Sequence, residues 1–191
     1  MADFTLLNVS SEEAARRLLG CELVRVLDTG ERLVGRIVET EAYNQTDAAS
    51  HSYKGRTPRT DVMFGPAGHL YVYFTYGMHY CCNVVVGHEG EGAAVLIRAL
   101  EPIAGAQTMA VNRGGRTGYE LTNGPAKACQ ALLLDRAWNG HDLSQPPLQL
   151  KIRKALPDEV IVQTTRIGIT KDTHRLWRFY IKDNPYVSRP A

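Results

Sequence analysis

The stretch Leu70-Tyr71-Val72-Tyr73-Phe74-Thr75-Tyr76-Gly77-Met78-His79-Tyr80 decides how this chain is read. Aromatic and β-branched residues run up to Gly77 and resume after it, which predicts two antiparallel strands reversing at the glycine. Five of its residues are aromatic, and Tyr76 and Met78 flank the turn. Large apolar side chains offered at a turn mark a surface on which something docks. Flat rings along one strand face suit a planar ligand, and a wedge at the tip suits entry into a stack of bases.

Outward from the hairpin, strand patterns recur at residues 21–27, 32–43, 81–86, 93–100 and 160–169, and again near 177–181. Asp28-Thr29-Gly30 turns between the first two. Ser10-Ser11-Glu12-Glu13 opens a capped helix that Gly20 stops. Residues 105–112 read as helical, and Asn123-Gly124-Pro125 starts another helix over 126–134 with proline at its first turn. Residues 44–68 form a long polar loop rich in Gly, Pro and Arg, of the kind kept for function. Strands outnumber helices and lie mostly in neighbouring pairs. The expected fold is α+β: one compact domain over residues 1–191, a largely antiparallel curved sheet with flanking helices and a protruding β-hairpin.

Composition narrows the class. The chain has 191 residues, 44% of them hydrophobic and 22% charged, proportions of a globular protein. No apolar run approaches the roughly 20 residues that span a bilayer, so no membrane partner is expected. The start, Met1-Ala2-Asp3-Phe4, lacks a basic-then-apolar signal pattern, and the expected location is cytoplasmic. The net charge of +2 permits a polyanionic partner only if positive charge gathers on one face. Cys21, Cys81, Cys82 and Cys129 have neither disulfide-framework nor CxxC spacing and read as buried thiols. His79 and Cys81 could be a ligand pair, but nothing completes a coordination shell, so no metal is expected.

The chemistry-bearing candidates follow from alternation along strands. Glu39, Glu41 and Tyr43 share one face. They are either solvated acids on an edge strand or a functional set in which Glu41, beside the polar loop, is a general base. A carboxylate there can deprotonate water aimed at a sugar carbon and steady developing positive charge. Glu39 lies one pleat deeper and is expected to pair with an arginine, Arg98 being the candidate. Tyr71 and Tyr73 share a face, as do Cys81 and Asn83. Tyr73 is read as a stacking ring and Phe74 as core. Asn83 inside an apolar strand needs a partner, either a backbone group or the edge of a bound base. His51, a lone loop histidine, carries little weight by itself. Lys54 to Thr60 (with Arg56, Thr57 and Arg59), Arg113 to Arg116, and the Gly124-Pro125-Ala126-Lys127 helix start are basic clusters suited to phosphates.

Several blocks together resemble 3-methyladenine DNA glycosylases of the alkyladenine glycosylase family, bacterial type. They are Arg36-Ile37-Val38-Glu39-Thr40-Glu41-Ala42-Tyr43, Ser50-His51-Ser52, Thr57-Pro58-Arg59, Met63-Phe64, and Gly68 through Met78. They continue with Val95-Leu96-Ile97-Arg98-Ala99-Leu100-Glu101-Pro102, Gly124-Pro125-Ala126-Lys127-Ala128-Cys129-Gln130-Ala131-Leu132 and Trp177-Arg178-Phe179-Tyr180. The resemblance implies that Glu41 activates the hydrolytic water and Arg98 helps to position it. It implies that Tyr43 and Tyr73 sandwich an extruded base, with His51 opposite, hydrogen-bonding near the sugar. Tyr76, supported by Met78, would fill the vacated stack, and Asn83 would stand where a guanine amine must go. It implies duplex DNA with alkylated or deaminated purines as partner, no cofactor, and a monomer. No lysine occurs in the pocket segments, so water rather than an amine is the expected nucleophile and the product an abasic site in an uncut strand.

Overall fold

The computed structural model describes residues 4–75 and 77–189. Eight antiparallel strands form one sheet: β1 (Glu22–Val26), β2 (Arg32–Asn44), β3 (Leu70–Thr75), β4 (His79–Val85), β5 (Ala93–Ala104), β6 (Leu148–Lys151), β7 (Ile161–Thr164) and β8 (Arg178–Ile181). Their order is β3-β4-β5-β2-β1-β6, and β8 branches from β2 and carries β7. With helices α1 (Ser11–Leu18), α2 (Ala106–Asn112) and α3 (Pro125–Ala131), this is the expected α+β architecture. No described helix is long and apolar enough to cross a membrane.

The sheet has two unlike faces, set by strand alternation. One face, with Leu70, Val72, Cys82, Val84, Val95 and Ile97, packs with α1 and α3 into the main core. Helix α1 is capped by Ser10, whose Oγ accepts the Glu13 N–H at 3.2 Å, and it buries Ala14, Ala15 and Leu18. Thr40 Oγ1 of β2 fastens the helix by donating to Ala15 O at 2.9 Å. The four cysteines are free and buried.

The opposite face carries a smaller cluster of Met63, Phe64, Tyr71, Val85 and Ala94. The loop of residues 44–68 closes over it through short 3₁₀ turns. Gly92 permits this approach: a Cβ there would lie 2.5 Å from Phe64 Cζ and 2.8 Å from Ser52 Cβ. Ser52 Oγ donates to Gly92 O at 2.7 Å, pinning the loop to the start of β5.

Two sequence expectations are corrected, and one strand was missed. The strand expected over 160–169 ends at Thr164, and Gly168, at φ 75°, lies in the turn that follows. The pairing strand β6 escaped notice because only four residues of it pair, behind a proline-rich approach. Phe74 is not core. It lies near the end of the β3–β4 hairpin, 46% exposed, against Tyr80 at 5.2 Å between ring centres.

Candidate active site

The sheet register lines up the site's floor. Glu41 of β2 pairs with Leu96 of β5, Leu96 with Asn83 of β4, and Asn83 with Tyr71 of β3. Two residues along on the same face stand Tyr43, Arg98, Cys81 and Tyr73. With Ser50, His51 and Met63 from the long loop, and Ile167, Gly168 and Ile169 from the turn after β7, they enclose a cavity of about 370 Å³. That is the size of a small-ligand pocket.

The two acids of β2 are both fully buried, because β2 is a central strand paired with β1, β5 and β8. The edge-strand alternative for Glu39 and Glu41 is thereby removed. Glu39 is consumed by structure. Its Oε1 accepts from Arg178 at 2.8 Å, Ser188 Oγ at 2.9 Å and Arg98 Nε at 3.2 Å, while Oε2 accepts the Ser188 N–H at 2.7 Å.

Glu41 is held differently. Its Oε1 accepts the Ile167 N–H at 2.7 Å and lies 3.3 Å from Arg98 Nη1. Among the described residues its Oε2 accepts one bond, from the Tyr43 hydroxyl at 2.7 Å. A carboxylate oxygen has two lone pairs, so Oε2 keeps an acceptor position beyond that bond, on a residue that lines the cavity. Arg98 bridges both acids. Its burial works against the charge, but Glu41 and then Glu39 outweigh burial and raise its pKa.

The aromatic groups form the walls. Tyr73 lies 4.6 Å from the His51 ring, nearly perpendicular to it, and 5.7 Å from Tyr71. Burial, then neighbouring Cys81, pushes the Tyr73 phenol pKa upward. Burial and the Glu41 carboxylate do the same for Tyr43, so its hydroxyl stays a donor. Burial is also the main reason the Cys81 thiol is raised to about 11, which leaves it protonated and a poor nucleophile. Asn83 donates from Nδ2 to Tyr71 O at 3.1 Å, the backbone partner that its apolar strand required.

His51 sits at the rim. Its Nδ1 is 2.9 Å from the Tyr71 hydroxyl and its Nε2 is 3.4 Å from Arg59 Nη2. A guanidinium can only donate, so Nε2 accepts and Nδ1 carries the proton. Partial burial, then Arg59, lowers its pKa to about 4, so the ring is neutral at neutral pH.

The remaining expected residues are scattered. Met78 is 70% exposed at the hairpin turn, where Gly77 adopts φ 69°. Tyr76 lies outside the described residues. Thr57 and Arg59 are exposed, Arg59 reaching the cavity residue His51, and Arg56 is paired with Asp61 at 2.6 Å. Lys127 is engaged by Asn123 at 2.8 Å and Glu120 at 3.3 Å, and Arg113 by the carbonyls of Leu121 and Glu120. Lys127 and Arg113 are therefore tied into the fold rather than left open.

Sequence reasoning missed the turn after β7 entirely. Its only signal was an arginine, Arg166, next to Ile167-Gly168 in an otherwise strand-like run.

Comparisons with known proteins point one way. Residues 5–185 match the family described as Methylpurine-DNA glycosylase (MPG). A relative from Carboxydothermus hydrogenoformans is 54% identical over 177 residues, 92% of each chain. One from Methanoculleus marisnigri is 51% identical over 178 residues, again 92% of each. One from Francisella tularensis subsp. tularensis is 48% identical over 187 residues, 96% of each. All three are provisionally named 3-methyladenine DNA glycosylases.

Proposed function

The chain belongs to the methylpurine-DNA glycosylase family, and we propose that it rotates alkylated purines out of duplex DNA and hydrolyses their N-glycosidic bond with water activated by Glu41. It is a 3-methyladenine DNA glycosylase of base-excision repair. The finer reading concerns lesion, pose and chemistry, and its main support is the bonding of Glu41.

One Glu41 oxygen is fixed by Ile167 and Arg98, and the other is oriented by Tyr43 with an acceptor position to spare. A water bound there gives its proton to Glu41 as its oxygen attacks C1′ of the deoxyribose. The C1′–N9 bond breaks and its electron pair returns to the purine, which leaves neutral if it entered as a methylated cation. The carboxylate also steadies the positive charge that develops on the sugar. No lysine is among the described residues that line the cavity, so none competes with water. The product is then an abasic site in an intact strand.

Selection begins with the lesion. A methylated purine pairs poorly and costs less to extrude. Between aromatic faces a cation gains roughly 0.5–2 kcal/mol that a neutral base does not. Tyr43 and Tyr73 supply those faces, and Asn83 on the floor disfavours the amine of ordinary guanine. Met78, exposed at the hairpin turn, and Tyr76 fill the vacated stack, and Arg56, Thr57 and Arg59 meet phosphates. The preferred lesion is 3-methyladenine, with 7-methylguanine and hypoxanthine also accepted. The enzyme acts as a monomer, without metal or organic cofactor.

Incubation of the protein with methylated duplex DNA, followed by chromatography of the released bases, tests this reading. Free 3-methyladenine with an unbroken strand is expected; no base release, or direct strand cleavage, contradicts it.

A further inference from the structure

Behind Tyr43 lies a buried ion pair that the chemistry above does not use. The side chains of Arg166 and Asp47 are both fully buried. Arg166 Nη2 donates to Asp47 Oδ1 at 2.9 Å and Nη1 reaches Oδ2, a two-pronged pair. Nη1 also donates to Ala42 O at 3.0 Å. The guanidinium carbon is 4.6 Å from the centre of the Tyr43 ring and 5.2 Å from that of Trp177. Tyr43 and the three residues after Arg166 line the cavity, but Arg166 does not. Its charge therefore sits behind the ring on which a base would stack.

A cation there draws π density from the ring's cavity side and repels, through the ring, any cation stacked on it. Asp47 opposes both effects. Burial alone would lower the Arg166 pKa, but the bond to Asp47 and its charge, with Tyr43 and Glu41, together outweigh it, so the guanidinium is charged and the carboxylate's balance matters. Around the rest of the cavity, Glu39 and Glu41 face Arg98 and Arg178. Removing one member of the Asp47–Arg166 pair leaves a single uncancelled charge behind Tyr43, whose sign depends on which member was removed.

Resting on the function proposed above, we infer that the Asp47–Arg166 pair sets the preference of the Tyr43 wall for cationic over neutral bases. Asp47 is a specificity residue that acts through Arg166 and the ring, without touching substrate. The same pair anchors the turn that brings the Ile167 N–H to Glu41, so substitutions slow release of every base. Only the ratio between cationic and neutral lesions isolates the charge effect.

The experiment compares single-turnover release of 3-methyladenine, a cation in DNA, and of hypoxanthine, a neutral base, from duplexes of one sequence. Asp47→Asn should lower the 3-methyladenine to hypoxanthine ratio about tenfold, the size expected for one charge acting across the ring. Arg166→Gln should raise it. The double variant Asp47→Asn with Arg166→Gln should return it near the wild-type value even if both rates are reduced. Equal losses on both bases in the two single variants would overturn the inference and leave the pair purely structural. Thermal melts identify a variant that does not fold. Should Asp47→Asn be such a variant, the opposite-signed shift in Arg166→Gln decides alone. A wild-type protein that releases neither base overturns the proposed function itself, an outcome seen before any variant is made.

Discussion

The Tyr43 hydroxyl donates to Oε2 of Glu41 at 2.7 Å, while the Tyr43 ring forms part of the cavity wall. One side chain thus orients the acid and shapes the base site. Tyr43→Phe separates the two jobs by keeping the ring and deleting the donor. A hydrogen bond to a charged group contributes about 1.5–3 kcal/mol, so the single-turnover rate should fall by roughly one to two orders of magnitude. Binding to damaged duplex, read by gel shift, should stay near wild type. Loss of binding with the rate unchanged would place the hydroxyl in recognition instead.

Glu39 predicts a stability effect. Its carboxylate is buried with Arg98 and Arg178 against it. Removing one partner of a buried pair typically costs about 3–5 kcal/mol. For a protein of this size, Glu39→Ala should lower the Tm by on the order of 10 °C. A calorimetric Tm unchanged from wild type would mean that the cluster relaxes without loss.

His51 predicts a pH effect whose sign is fixed. Its pKa is lowered from the ordinary 6.5 to about 4 in the folded protein. Between those values the unfolded chain binds the proton more readily, so stability rises with pH. The contribution is fully present above pH 6.5 and is lost as pH falls toward 4. Its size is less than the full shift implies, because His51 is solvent-exposed. His51→Gln should therefore lose less stability than wild type across that window in denaturant titrations. Parallel curves would show that His51 titrates normally.

The hairpin tip predicts a binding effect. Stacking against a base contributes about 1–3 kcal/mol. Tyr76→Ser should accordingly weaken binding to damaged duplex by roughly tenfold, with Met78→Ala weaker in effect. Fluorescence anisotropy measures both, and unchanged affinity would argue against a wedge.

Much of this was legible from residue patterns. The hairpin announced itself because aromatics flank a glycine at a spacing that only paired strands accommodate. Glu39 pairing with Arg98 followed from strand alternation. What sequence spacing could not carry was the contact between distant segments. Asp47 and Arg166 are 119 residues apart, and each alone looks like a solvated charge in a polar segment. Ile167 acts on Glu41 through a backbone N–H, which no side-chain identity reveals. Phe74 was misread because the hairpin extends past the layer that covers the rest of the sheet. Lys127 was overvalued because a helix start and a lysine look like a phosphate cradle until Asn123 and Glu120 are seen to occupy the ammonium.

The most direct measurement is made on Glu41→Gln, with excision of 3-methyladenine and affinity for the same damaged duplex determined in parallel. The account predicts affinity close to wild type and a rate lower by roughly 10²–10⁴-fold, the usual contribution of a general base. A glutamine variant that releases the base at close to the normal rate would contradict it.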